Sequence, residues 1–196
     1  MRARRIVSLM MRLTIVLLAL FTFGLFGAAL RVVFVRSEGA PLPTKLLVAV
    51  GLVFSGVHVC LLGTAPLDAG GTGLGGGLYL LASALFSWTA QSVRGRNFRL
   101  AYVCCAPSAI FRGGPYRWVR HPFYLSYMLA WVAAVVALAD WRLLLTPAIM
   151  GGFYLVAAYR EERQMLHGPA AEEYPEYRRH AGVLLPRFGI RRVERA

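Results

Sequence analysis

The sequence predicts an all-α integral membrane bundle of about five transmembrane helices with a helical carboxy-terminal tail outside the bilayer. Two observations carry this. At 58% hydrophobic and 16% charged residues over 196 positions, the chain is too apolar for an ordinary soluble domain. Its apolar residues also gather into runs near the roughly 20 residues that cross a bilayer, separated by short polar breaks. We expect residues 1–196 to form a single membrane domain.

The first span is expected over 13–35, broken only by Arg31 near its end, where a long side chain reaches the interface. Arg2, Arg4 and Arg5 precede it, as in a signal peptide, but the apolar run exceeds the roughly 7–15 residues of an h-region and reads as a span. The Met10-Met11 pair leaves a later start open. After a break containing Ser37, Glu38, Gly39, Pro41 and Pro43, a second span covers 46–62. His58 lies inside it without an acidic partner and reads as a packed, hydrogen-bonded residue, and Cys60 reads as a small apolar side chain.

Residues 70–77, Gly-Gly-Thr-Gly-Leu-Gly-Gly-Gly, contain Gly-x-Gly-x-x-Gly at 71, 73 and 76. That pattern cradles a dinucleotide only inside a βαβ unit, which this chain lacks. It reads as a flexible loop entering a third span at 74–90, with Gly73 and Gly77 admitting a close neighbouring helix. Residues 100–111 are too short to cross and are expected at the interface. Cys104 and Cys105 are adjacent, and three scattered cysteines form no metal-ligand pattern, so neither a redox nor a zinc role is assigned. A fourth span at 123–138, a tight turn at Ala139-Asp140-Trp141 and a fifth span at 143–159 form an antiparallel hairpin. The start of span four and the end of span five therefore meet on one membrane face.

The densest chemistry lies at those two ends. Residues 111–124 place Arg112, Tyr116, Arg117, Arg120, His121, Pro122 and Tyr124 at the mouth of span four, where ionisable groups are costly and usually have a task. Pro122 suits the first turn of a helix. If helical geometry reached back past it, Arg117, Arg120 or His121, and Tyr124 would share a face. The plainer alternative is that these arginines and aromatics only anchor the span at the headgroups.

These residues carry a resemblance. Gly114-Pro115-Tyr116-Arg117-Trp118-Val119-Arg120-His121-Pro122-Phe123-Tyr124 resembles the Gly-x-Tyr-x-x-x-Arg-His-Pro-x-Tyr signature of the isoprenylcysteine carboxyl methyltransferase and phospholipid methyltransferase superfamily of membrane enzymes. Arg160-Glu161-Glu162-Arg163-Gln164-Met165, Tyr174-Pro175-Glu176-Tyr177 and Val183-Leu184-Leu185-Pro186-Arg187-Phe188 are similar to that family's Glu-Glu-x-x-Leu, Tyr-x-x-Tyr and Val-Pro-Arg-Phe series. The likeness covers about 108–190. It implies S-adenosyl-L-methionine as cofactor and a lipophilic acceptor. It also implies cofactor contacts at about Ser108 to Phe111, including Ile110, then at Tyr116, His121, Pro122, Phe123 and Tyr124 and a glutamate of the Glu161–Glu162 pair.

The same resemblance makes Arg160 the candidate that orients the acceptor. His121 or a glutamate would be the base for an acceptor needing deprotonation, which a carboxylate does not. Helix-start N–H groups near His121 could receive the cofactor's carboxylate. Gly168-Pro169-Ala170-Ala171 replaces the family's Phe-Gly, and Phe123 its usual Asn or Ser, changes that bear on the acceptor. Two other readings remain open: a sterol- or enone-type NADPH reductase, whose tail motifs are related, and a non-enzymatic lipid-binding protein.

Orientation follows the basic residues. Six arginines lie in 91–120 and eight in the tail from Arg160, against none in 64–90, which places the central loop, the tail and the site on the cytosolic face. Five spans then put the amino terminus outside, against the bias of Arg2, Arg4, Arg5 and Arg12. A net charge of +13 is matched by anionic membrane lipid, so neither nucleic acid nor metal is called for as a partner.

Overall fold

The computed structural model describes residues 2–32, 42–94 and 110–187. Residues 100–109 of the expected interface segment, with Cys104-Cys105 and Ser108, and Phe188 lie outside the described residues, as does the side chain of Arg31. The elements are α1 (Arg2–Val32), α2 (Leu42–Thr64), α3 (Ala69–Ser92), α4 (Pro122–Leu138), α5 (Leu145–His167) and a short α6 (Tyr174–His180). No strand occurs among the described residues, only an isolated parallel bridge between Val119 and Gly182. Segments of α1, α2, α3 and α5 are long and apolar enough to cross a membrane, and α4 is a shorter apolar helix. The protein is an integral membrane helical bundle.

Helix α4 is the central post. Its 17 residues rise only about 26 Å, a little under a hydrocarbon core. Small residues on it, Ala130, Ala133, Ala134 and Ala137, are almost fully buried against Ile15, Ala19, Leu62, Tyr79 and Ala82 of α1 to α3. Lipid-facing leucines and phenylalanines, such as Leu17, Phe21, Leu52 and Leu81, stay exposed on the outer helices. Contacts between helix ends set the topology. Arg12 Nη1 of α1 donates to Leu62 O of α2 (3.2 Å), and His58 of α2 meets Thr146 of α5. At the other end, Ala29, Phe86, Val93, Tyr116 and Phe123 form one cluster. Helices therefore alternate in direction, and the start of α4 and the end of α5 share one end of the bundle.

The glycine run is helix rather than the expected loop. Asp68 caps α3, its carboxylate accepting from Gly70 N (3.0 Å) and Gly71 N (2.7 Å), so the helix begins at Ala69, five residues ahead of the predicted start. The close-packing glycines are also different ones. A Cβ at Gly71 would meet Val136 O at 2.7 Å, and one at Gly75 would meet Ala137 Cβ at 2.6 Å and Ala133 O at 2.7 Å, whereas Gly73 and Gly77 face open space. Both pairs have the same spacing; only the phase of the helix against α4 separates them.

Helix α4 stops at Ala139, whose φ of 50° is left-handed, and Asp140 accepts from Arg142 N at 3.0 Å to start the 3-10 turn leading into α5. This is the expected hairpin. Helix α5 then continues past the predicted end at Tyr159 to His167, so Glu161 and Glu162 are helical residues with a fixed phase. His58 is fully buried, as expected for a packed residue, with Nε2 3.2 Å from Thr146 Oγ1 and its ring against Trp131.

Candidate active site

The two sequence blocks meet at one end of the bundle. Residues 114–117 form a 3-10 turn whose Gly114 has φ 54°, and a Cβ there would run into Ser92 of α3, so the turn needs glycine. Because that turn and the irregular Trp118–His121 stretch precede α4, helical phase does not reach back to Arg117. That corrects the expected shared face: Arg117 stacks its guanidinium over Trp118, 5.0 Å from the ring centroid, and stays exposed. Arg120, His121 and Tyr124 converge instead on the glutamates of α5.

Arg120 Nη1 donates to Glu162 Oε2 at 2.6 Å, and both side chains are buried. His121 lies between the carboxylates, Nε2 3.2 Å from Glu162 Oε1 and Nδ1 3.4 Å from Glu161 Oε2. The Tyr124 hydroxyl donates to Glu161 Oε1 at 2.5 Å, and its ring stacks on His121 and on Tyr154. From α6, Arg178 Nε approaches Glu162 Oε2 to 3.7 Å. Burial alone would lower the affinity of His121 for its proton, but the two carboxylates outweigh it and hold the pKa above the ordinary value. Carboxylates at both ring nitrogens favour the doubly protonated imidazole, which donates to each. Burial, reinforced by nearby Glu161, pushes the Tyr116 phenol well up, so it stays protonated.

The tail closes this end. Arg120 N donates to Gly182 O (2.7 Å), His121 N to Val183 O (3.2 Å), and Gly182 N and Arg187 N to Trp118 O. Tyr177 OH donates to Tyr116 O at 2.8 Å. The backbone N–H groups of Arg120 and His121 are thus used in holding the tail. The Tyr174 hydroxyl lies in hydrogen-bonding contact with the Arg120 side chain, which ties α6 to the stretch before α4.

The remaining candidates are placed differently. Pro122 and Phe123 are buried in the core, Phe123 against Phe86 at 5.1 Å. Phe111 packs edge-on against Tyr116, and Ile110 packs on Tyr174 and Tyr177. Arg160 is exposed on α5, directly before the glutamate pair. Arg178 was not singled out from the sequence; its only signal is its place one residue after Tyr177, on a helix whose phase fixes where it points. Among the described residues no group of three or more His, Cys, Asp or Glu side chains is arranged to hold a metal ion.

A helical membrane bundle with a buried ionic cluster at one end, closed over by its own tail, defines a class of membrane-embedded site. Residues 76–167, just under half of the chain, match the model of the isoprenylcysteine carboxyl methyltransferase (ICMT) family. Over 71 residues the chain is 39% identical to a protein of Mycobacterium tuberculosis (strain ATCC 25618 / H37Rv) named methanethiol S-methyltransferase. That match takes in 36% of this chain and 28% of the relative. The chain is thus isoprenylcysteine carboxyl methyltransferase-like over that region, in agreement with the resemblance read from its motifs. The family match includes the α4 and α5 residues of the cluster and ends before Tyr174, Tyr177 and Arg178. Both likenesses support membrane methyl transfer as the general class of activity.

Proposed function

We propose that residues 1–196 act as one membrane methyltransferase domain, transferring a methyl group from S-adenosyl-L-methionine to a lipophilic acceptor at the cytosolic end of the bundle. The observation that carries this reading is the buried cluster of Arg120, His121, Tyr124, Glu161 and Glu162 between the start of α4 and the end of α5. Charges buried at this depth need a complete set of partners, which come here from the start of α4, the end of α5 and α6. The glutamate pair suits an ammonium group or ribose hydroxyls, and the Tyr116 and Tyr124 rings supply apolar walls. These residues therefore fit the cofactor.

S-adenosyl-L-methionine, when bound, supplies an electrophilic methyl group on a sulfonium. The chain's own part is positioning and exclusion of water, which the tail over Trp118 to His121 favours. His121, charged and donating at both nitrogens, holds the carboxylates in place and does not act as the base. A carboxylate acceptor needs no base. The mycobacterial relative's name adds thiols to the acceptor classes, and a thiol must lose its proton, for which a carboxylate of the pair is the nearest receiver. The resemblance makes Arg160, exposed near the end of α5, the residue proposed to orient an anionic acceptor.

Equilibrium binding of the purified protein to S-adenosyl-L-methionine and to NADPH tests the reading. Saturable binding of the first alone is expected, followed by label transfer from methyl-labelled cofactor into a lipid extract or a thiol panel, with the product identified by mass. Binding of NADPH alone, or of neither, would overturn it.

A further inference from the structure

At the end of α3 nearest the ion cluster, an aromatic and cationic patch lies on the outside of the bundle. The indole rings of Trp88, on α3, and Trp118, before α4, are 5.8 Å apart between centroids, and the Arg117 guanidinium lies 5.0 Å over the Trp118 ring. Trp88 is 46% exposed and Arg117 is exposed, so the patch faces outward, unlike Arg120, whose side chain is buried against Glu162. Stacking occupies the face of a guanidinium and leaves the N–H groups round its edge to donate. Among the described residues the arginine ion pairs belong to Arg112, Arg120, Arg142 and Arg178, and no carboxylate pairs with Arg117. Its charge is open to an anion from outside. Arg94, exposed at the end of α3, adds a second positive charge at this end of the helix.

Toward the middle of the bilayer, α3 continues the patch as an apolar stripe. Positions 77, 81, 84 and 88 fall within about 60° of one another round the helix, and Gly77, Leu81, Ala84 and Trp88 are all exposed. From Gly77 to Trp88 the helix rises about 16 Å, close to half of a hydrocarbon core of about 30 Å and hence to the depth of one leaflet. An acyl chain laid along this stripe brings its phosphate to the level of Trp88, where indoles sit in a bilayer. We infer that Arg117, Trp118 and Trp88 form a binding site for one anionic phospholipid, with the phosphate on the Arg117 guanidinium edge and a chain along α3. A zwitterionic headgroup would bring an ammonium group to two arginines, with no carboxylate paired to Arg117 to receive it. The lipid acts on the ion cluster only through the backbone. Trp118 O accepts from Gly182 N (3.0 Å) and Arg187 N (3.1 Å), so a lipid that holds Trp118 also holds the tail. This site stands apart from the methyl-transfer reading, and its lipid is not the acceptor.

The test uses the wild type, Arg117→Ala, Arg117→Lys and, as a control for lost charge, Arg163→Ala on the exposed side of α5, each purified whole and delipidated in a neutral detergent. The probes are phosphatidylglycerol, phosphatidylcholine with the same chains, and inorganic phosphate. Melting temperature and lipid retention in native mass spectrometry are the readouts. Phosphatidylglycerol is expected to raise the melting temperature saturably and to be retained as a single molecule, while the other two probes leave melting nearly unchanged. Arg117→Ala should melt as the wild type does without lipid, because its side chain is exposed, and should bind phosphatidylglycerol at least about fivefold more weakly. Arg117→Lys should recover part of that loss, since an ammonium keeps the charge but not the planar fork, and a loss in this variant carries the test if Arg117→Ala does not fold. Arg163→Ala should keep the wild-type response. Equal shifts from the two phospholipids would reduce the patch to an unselective interface anchor, and a shift from inorganic phosphate alone would make it an ion site without a lipid. An Arg117→Ala protein that responds to phosphatidylglycerol as the wild type does would put the lipid elsewhere. Each of these three results overturns the assignment.

Discussion

His121 couples the site to pH. Its proton is held by two carboxylates, so its folded pKa lies above the unfolded value of about 6.5. A raised pKa contributes stability that is fully present below the unfolded value and is lost as pH rises through the folded one. The thermal stability of the wild type is therefore expected to fall as pH rises from neutral to alkaline. His121→Gln should flatten that slope, because glutamine cannot lose the charge. Equal slopes in the two proteins would remove His121 as the titrating group. Arg120 makes a sterner case: Arg120→Ala leaves Glu162 buried with only His121 and the half-exposed Arg178, and breaking such a pair costs about 3–5 kcal/mol. A measured loss below about 1 kcal/mol would show that Arg178 or water takes over.

Between elements, the contact of α3 on α4 is set by glycine phase. Gly75→Ala is expected to destabilise by about 1–3 kcal/mol, since its Cβ would overlap Ala137 and Ala133 O, while Gly73→Ala should be neutral or slightly stabilising because nothing lies within reach. Melting of the two variants in the same detergent distinguishes them, and equal losses would mean that the α3–α4 phase is wrong. This pair also marks where sequence reasoning stopped. Span number, the α4–α5 hairpin and the meeting of the Arg-His-Pro and Glu-Glu blocks were legible, because hydropathy and turn length decide them. The phase of the glycines was not, since Gly71 and Gly75 repeat at the same interval as Gly73 and Gly77. Nor was the end of α5 legible: apolar length stops near Tyr159, but the helix continues through a charged turn whose carboxylates are neutralised by Arg120, His121 and Arg178. The outward position of Arg117 likewise follows from a 3-10 turn that a helical spacing argument does not foresee.

For the whole molecule, alternation of the five long helices puts the ion cluster, the end of α3 and residues 110–121 and 174–187 at one end, and the Thr64–Ala69 turn with the start of α1 at the other. The arginines of 91–120 and of the tail favour cytosol for the first end, because basic residues resist translocation. The arginines at the amino terminus favour cytosol for the second. Arg12 weakens that opposing vote, since its guanidinium is engaged by Leu62 O within the bundle. The denser cluster should prevail. Reporters inserted in 91–107 and after Ala196 are expected to respond as cytosolic, and one at Asp68 as lying on the opposite side. A cytosolic signal at Asp68, with the tail reporter outside, would leave the helix packing intact but invert the molecule. The cluster would then face away from cytosolic S-adenosyl-L-methionine, and methyl transfer at that site would lose its supply of donor.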